Sequence, residues 1–380
     1  MPKRIFILTG EPSGDYYGAL LTRKLYELDP NLAIEGAGGM QMRNAGAKII
    51  RETAHLGVIG ILNAVLKIVP IFKALFFVLK YLRKNPPDLL ILIDFGAFNM
   101  YILRKLKKKI PAMYYIPPGC WSRYRKPGEL PHLVSAIATP FSWSAENLKK
   151  TDADVEIEWV GHPLLDSIAT TKTKEEARKE LGIGEDEKVL AIIPGSRPQE
   201  LKYMLPMYFS AAKSLTGDAK LLVSVAKNVK QAEIRRYIPK KISEENIIFV
   251  DGLDRDILQI ADAAFVTSGT ATLEMALLQI PMVVSYRGSN IAGLQYQYWK
   301  NKRGFEWISL PNIILEESVI PEYVQYAANA DVLTGAMNDL LFNIDSKDKQ
   351  KSAFTKLRAS LGENGSIDRV ADMAFRRFLA

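Results

Sequence analysis

At 380 residues the chain is long enough for two domains with substantial cores. Its 48% apolar and 24% charged residues exclude a disordered or fibrous protein, and its single cysteine, Cys120, excludes an intramolecular disulfide framework or an all-cysteine metal cage, which with no signal peptide suits a reducing cytoplasm. The net charge of +8 suits an anionic partner, but the basic runs lack the interleaved aromatics of a single-strand binder, so a nucleotide-linked substrate or an anionic membrane surface is expected and nucleic acid is not.

The first predicted strand, Ile5–Thr9, runs into Gly10-Glu11-Pro12-Ser13-Gly14-Asp15 and then a helix. Glycines permit a tight turn and close ligand approach, and a helix start offers free N–H groups. The run is neither Gly-x-Gly-x-x-Gly nor a P-loop. Two carboxylates would repel a diphosphate, so Glu11, Ser13, Gly14 and Asp15 are expected to meet an acceptor's hydroxyls. Helix capping by Ser13 or Asp15 is the plain alternative.

Residues Leu56–Leu82 are unusually apolar, yet Lys67, Pro70, Lys73 and Lys80 break the run below the ~18 uncharged residues of a spanning helix. Lys73, Lys80 and Lys84 share one helical face; Phe72, Leu75, Phe76 and Leu79 lie on other sides. Two readings stand: a helix buried under the first sheet, or one resting in a bilayer interface through those four apolar residues, with lysines at anionic headgroups.

Asp94 ends the apolar strand Leu89–Asp94. The crevice beyond the carboxyl ends of parallel strands is where α/β proteins bind ligands. An aspartate there, beside Phe95 and Phe98, can have a raised pKa and act as general base, or it can cap the next helix. Strands at Ala112–Ile116 and Glu156–Val160 follow. A polar stretch near Leu164–Lys174 marks a boundary, giving domains 1–168 and 169–350 and a helical tail 351–380.

The second series comprises Val189–Ile193, Leu221–Val225, Ile247–Val250, Ala264–Thr267 and Met282–Ser285. Strands rich in Ile, Leu and Val without alternation, separated by helices, imply parallel sheets, and nine are too many for one compact sheet. The first of these leads into Pro194-Gly195-Ser196-Arg197, where a guanidinium can grip a diphosphate, or pair with Glu200. Ala264–Thr267 leads into Ser268-Gly269-Thr270-Ala271-Thr272-Leu273-Glu274, whose small residues can surround a phosphate, with Glu274 placed for ribose hydroxyls. No metal site is expected: His55, His132 and His162 have no ligand spacing, and Asp152–Asp154 and Asp254–Asp256 read as structural Asp-x-Asp pairs.

These motifs, with Gly36-x-Gly38-Gly39-Met40, Gly57-Val58-Ile59-Gly60, Phe98-Asn99, Val160-Gly161-His162-Pro163, Pro281-Met282-Val283-Val284-x-Tyr286 and Ser309-Leu310-Pro311-Asn312, resemble the lipid-A-disaccharide synthase family over nearly the whole chain. The resemblance implies two Rossmann-like doubly wound domains facing a cleft (the GT-B architecture), with a C-terminal helix crossing back to the first. It implies transfer of 2,3-diacylglucosamine from UDP to a lipid monosaccharide phosphate, with inversion and with no metal or other cofactor. By resemblance Asp94 is the base; Arg197, Ser268, Gly269, Thr270 and Glu274 hold UDP; Asn312, Glu322 and Gln325 line the donor side; and Asn99, Gly195, Ser196, Ala271 and Thr272 are further expected substrate-binding residues. The partners implied are a UDP-sugar, a lipid acceptor and the inner face of the cytoplasmic membrane, with a homodimer left open. Departures at Pro117–Arg123 and at Pro140-Phe141-Ser142 leave room for a related transferase with another lipid acceptor. A UDP-sugar epimerase using Glu11, Asp15 and His162, and a non-catalytic UDP-sugar sensor, are readings from other classes.

Overall fold

The computed structural model describes residues 2–57, 61–215, 219–289, 293, 297 and 306–379, with backbone alone over 61–68. Val58, Ile59 and Gly60 of the Gly57–Gly60 motif lie outside the described residues. The chain divides into two units, Met1–Ser167 with Leu361–Ala380, and Ile168–Ser360.

The first unit is built on a parallel sheet of β1 (Arg4–Leu8), β2 (Ala33–Gly38), β3 (Lys48–Glu52), β4 (Leu89–Ile93), β5 (Ala112–Tyr115), β6 (Ala136–Thr139) and β7 (Glu156–Trp159), in the order β3-β2-β1-β4-β5-β6-β7. Every residue of β4 is buried, as expected of a strand covered by helices on both faces. The early helices are α1 (Pro12–Leu28), α2 (Met40–Asn44), α3 (Ile61–Lys84) and α4 (Gly96–Leu106).

Helix α3 divides the apolar stretch by face. Ala74, Leu75, Val78, Leu79 and Leu82 recur at helical spacing and are buried against Phe6, Leu8, Leu90 and Leu92. Leu75 and Leu79, expected among the membrane contacts, are therefore core residues. Phe72, Phe76 and Phe77 emerge on the other side, with 47%, 57% and 42% of their surface exposed. Among the described residues no helix is long and apolar enough to cross a membrane.

The second unit repeats the plan with β8 (Val189–Ile193), β9 (Lys220–Val225), β10 (Ile247–Asp251), β11 (Ala263–Thr267), β12 (Met282–Tyr286) and β13 (Glu322–Val324), ordered β10-β9-β8-β11-β12-β13. In each sheet the winding reverses once, between β1 and β4 and between β8 and β11. Neighbouring loops diverge at such a point and leave a crevice at the carboxyl ends of the strands.

Helix Ile344–Ser360 stays with the second unit, and the chain crosses at Leu361, later than the predicted start of the tail at Lys351. The Leu361 carbonyl accepts from the His162 amide, and the Asp166 carboxylate accepts from the amides of Gly365, Ser366 and Ile367. Helix Ser366–Ala374 then lies against α1, burying Ile367, Val370, Ala371, Met373 and Ala374.

Candidate active site

Four of the predicted motifs occupy the loops at the two reversal points: Gly10–Asp15 after β1, Asp94 after β4, Pro194–Arg197 after β8 and Ser268–Thr270 after β11. Each unit thus carries one pair of adjacent loops.

In the first unit Asp94 and Phe95 are both left-handed, at φ 48° and 51°. Two such residues without glycine cost about 1–2 kcal/mol each, so the surroundings must hold them. The Asp94 amide donates to the Tyr115 carbonyl at 3.1 Å, and its own carbonyl accepts from Asn99 Nδ2 at 2.7 Å and Tyr114 Oη at 2.6 Å. Phe95 stacks on Phe98 with ring centroids 4.8 Å apart and lies across Gly10, where an added Cβ would come within 2.2 Å of the ring. Only glycine allows that approach. The half-buried Asp94 carboxyl is pushed up to about 6, first by burial and then by the charge of Glu11. A carboxyl whose proton affinity is raised by burial and a nearby negative charge is suited to acid–base work.

The other residues of the first loop take structural positions. Gly14 is buried against Thr9 and the Ile93 carbonyl, and Ser13 is half-buried in the first turn of α1. Asp15 was expected to meet an acceptor. Instead it is buried, and its carboxylate accepts from the amides of Gly39 at 2.7 Å, Gln41 at 3.0 Å and Met42 at 3.3 Å. It satisfies the free N–H groups at the start of α2 and pins that helix to α1. Asn99 is fully buried, and its Nδ2 holds the Asp94 carbonyl. His162 is buried beside Tyr17 and Phe141, accepts from the Leu164 amide, and is pushed down to about 3 by burial, so it stays neutral.

In the second unit Glu200 is the organising group. It is 4% exposed and accepts from the amides of Ser196 at 2.9 Å and Arg197 at 3.1 Å, and from Arg197 Nη1 at 2.7 Å. The predicted alternative for Arg197, a pair with Glu200, is thus present, but it is a buried anchor that leaves 33% of the arginine side chain exposed. Beyond β11, Ser268 Oγ donates to the Ile308 carbonyl, Gly269 is exposed, and Thr270 and Ala271 are half-buried at the start of helix Ala271–Leu277. Thr272 is buried, donating to the Gly269 carbonyl and accepting from the Leu310 amide, so it shapes the turn from inside. Glu274 pairs with Arg255 at 3.2 Å; burial raises its pKa and the arginine opposes the rise.

Asn312 and Glu322, expected along the donor side, are occupied by the fold. Asn312 is fully buried, donating to the Ile320 carbonyl and Glu322 Oε1 and accepting from the amides of Val319 and Ile320. Glu322 also accepts from the Ile308 amide and from the amide and hydroxyl of Ser309. Together they tie segment 308–312 to β13. Gln325, left-handed at φ 56°, is half-buried, and its carbonyl oxygen accepts from the Gly288 amide. The two Asp-x-Asp pairs are engaged elsewhere: Asp254 caps helix Arg255–Leu258, Asp256 binds Thr171 and Lys172, and Asp152 faces His132 at 3.4 Å. Among the described residues no cluster suits a metal ion.

Tyr114 and the anchoring role of Glu200 were not anticipated. The signal for Tyr114 is a tyrosine inside a fully buried strand, whose hydroxyl requires a partner.

The family model for lipid-A-disaccharide synthetase matches residues 5–374. The lipid-A-disaccharide synthase of Gloeothece citriformis is 35% identical over 383 residues, covering 97% of this chain and 98% of that protein. That of Coxiella burnetii (strain RSA 331 / Henzerling II) is 31% identical over 376 residues, covering 97% of each. Among solved structures, a putative UDP-N-acetylglucosamine 2-epimerase from Listeria monocytogenes superposes with a TM-score of 0.65 at 13% identity, covering 99% of this chain and 97% of that one. Acinetobacter baumannii MurG does so with a TM-score of 0.56 at 15% identity, covering 99% and 100%. Likeness at that identity speaks for the fold alone, two Rossmann-like domains of the GT-B class. The match over nearly the full length, at more than 30% identity to the relatives, makes the chain a member of the lipid-A-disaccharide synthetase family.

Proposed function

We propose that this protein is a lipid-A-disaccharide synthase, an inverting glycosyltransferase that moves 2,3-diacylglucosamine from UDP to 2,3-diacylglucosamine 1-phosphate and releases UDP. In this reading the Asp94 carboxylate takes the proton of the acceptor hydroxyl as the oxygen attacks the anomeric carbon. A base with a pKa of about 6 is ionised at neutral pH yet still basic enough to accept that proton. The C–O bond to UDP breaks as the new one forms. The departing diphosphate then needs positive charge, which Arg197 and the backbone of Gly195–Ser196 and Ser268–Ala271 would supply, with Glu274 toward the ribose. Neighbours such as S. aureus MnaA with UDP and the Neisseria meningitidis UDP-GlcNAc 2-epimerase with UDP-GlcNAc support a nucleotide donor on this fold.

The observation that carries the proposal is the raised, strained Asp94 at the reversal point of the first sheet, in a chain that matches the family from end to end. The epimerase reading lacks its histidine, since His162 is buried and held neutral. A lipid substrate also calls for a membrane surface, and Phe72 and Phe76 stand exposed where a monotopic enzyme would enter the interface on the cytoplasmic side.

The test is incubation with UDP-2,3-diacylglucosamine and 2,3-diacylglucosamine 1-phosphate, with mass detection of a disaccharide. Release of UDP without that disaccharide would assign another acceptor. Arg197→Ala should raise the barrier by about 2–4 kcal/mol, the loss typical of one removed oxyanion donor, while binding of the acceptor holds. Undiminished turnover in single-turnover kinetics would remove Arg197 from the mechanism.

A further inference from the structure

Beside the turn that carries Asp94, the first unit encloses a cavity of about 230 Å³. Its wall begins at Pro118, which packs on Gly96, two residues beyond Asp94; an added Cβ on Gly96 would lie 2.8 Å from the proline ring. The next residue, Gly119, is left-handed at φ 71°, and the Arg125 guanidinium lies directly over it, 2.3 Å from where a Cβ would stand. Any other residue at 119 would both strain the backbone and displace the arginine.

The cavity is cationic. Arg104 is matched by Glu129, to which its Nε donates at 2.7 Å. Arg125 and Lys126 remain, and neither has a hydrogen-bond or ion-pair partner among the described residues. Two uncompensated cations on one wall suit a dianion better than a single carboxylate, and the planar guanidinium matches phosphate oxygens. Arg125 and Asp94 both lie close enough to the buried Tyr114 and Cys120 for their charges to act on them. The cationic wall and the base thus belong to one neighbourhood. A nucleotide diphosphate fits poorly here, because the turn that packs on this wall through Gly96 carries Asp94, with the charge of Glu11 acting on it. A phosphate some distance from the reacting hydroxyl, on the same small molecule, fits both requirements.

We infer that this cavity is the subsite for a phosphate monoester carried by the acceptor, with Arg125 as its principal ligand and Lys126 as the second. The inference rests on the acceptor reading given above and adds which residues recognise the acceptor's anionic group. It also gives meaning to the departure from the family pattern at Pro117–Arg123, the segment that forms one side of this wall.

The experiment uses the full chain in neutral detergent micelles, which contain no lipid phosphate. Two acceptors are compared: 2,3-diacylglucosamine 1-phosphate and the same sugar without its phosphate. Arg125→Ala should raise KM for the phosphorylated acceptor about tenfold or more, as expected for one lost charge-assisted contact, and erase the preference between the two acceptors. KM for the UDP-sugar should hold, and Arg125→Lys should recover part of the loss. An equal KM rise for both acceptors, or no rise, overturns the subsite. Loss of binding to phosphatidylglycerol vesicles by Arg125→Ala, with KM unchanged in micelles, would assign the cations to membrane headgroups and likewise overturn it. If the unmodified enzyme makes no disaccharide from either acceptor, the functional reading fails separately. Calorimetric titration with glucosamine 1-phosphate, comparing the unmodified chain with Arg125→Ala, then still reads the subsite, and equal affinities would sink it.

Discussion

At Asp94 the proposed role as base and the stability of the fold pull in opposite directions. The carboxyl's pKa of about 6 lies above the ordinary 3.8, so the folded state prefers the protonated form. Below pH ~4 the group carries its proton whether folded or not and its burial costs little; as pH rises through 6 the fold must hold a half-buried charge beside Glu11. Asp94→Asn should therefore abolish transfer yet raise stability at pH 7.5 by up to about 3 kcal/mol, with no gain at pH 4. Denaturant melts at the two pH values check this, and a destabilised variant at pH 7.5 would show that the ionised carboxylate holds the turn. In the unmodified enzyme kcat/KM should fall with the ionised fraction as pH drops through about 6. The positions of Asp94 and Arg197 were legible because an apolar strand ending in a polar residue advertises the carboxyl edge of a parallel sheet. The duties of Asp15, Asn312 and Glu322 were not. Their partners are backbone amides in other segments, such as Gly39 for Asp15, and a chain-order reading cannot see which amides the fold leaves without partners.

Among the elements, the strands that could be read are those dominated by apolar side chains, β1, β4, β8 and β11 above all. The four that escaped notice lack that signal. Strand β2, Ala-Ile-Glu-Gly-Ala-Gly, is two-thirds glycine and alanine, β3 is a charged edge strand, β6 is only four residues with a single large apolar one, and β13 has three residues. Each takes its conformation from a neighbour already in place rather than from its own propensity. Helix α3 was ambiguous for a different reason. Its apolar surface is wider than the stripe one sheet can cover, and only the packing divides it into a buried side with Leu75, Val78, Leu79 and Leu82 and an exposed one with Phe72 and Phe76. Replacing Phe72 and Phe76 with serine should release the enzyme from phosphatidylglycerol vesicles in a flotation assay while leaving its melting temperature within a few degrees, because both rings are already in solvent. Leu79→Ser should instead lower stability by at least about 2 kcal/mol, since it opens a cavity and buries a hydroxyl. Release by the leucine variant alone, at unchanged stability, would reverse the assignment of the two faces.

For the whole molecule the two sheets share one winding order, 3-2-1-4-5-6 in each unit's own count with an added β7 in the first, and the reversal point recurs in the same place. The double use of one plan was legible from the alternation of strands and helices. The last turns of the chain carried a weaker signal. The tail was readable as helical, but the point where it leaves the second unit depends on Leu361 bonding to His162 and on Asp166 capping the helix that follows, contacts that span nearly two hundred residues. Deleting the chain after Ser360 should destabilise the first unit selectively, because it strips the buried face of helix Ser366–Ala374 from α1 and leaves the Asp166 carboxylate without its amides. Limited proteolysis should then cut the first unit while the second survives; uniform resistance would mean that the tail contributes little.

The late arrival of that helix bears on how the protein is made. Residues that form the first sheet leave the ribosome before the second unit has been translated, and their closing helix follows that whole unit. At roughly 5–20 residues per second, the apolar side of α1 waits on the order of twenty to seventy seconds for its cover. A nascent chain stalled near its end would therefore display greasy surface in the very portion synthesised earliest, and chaperone engagement should concentrate there.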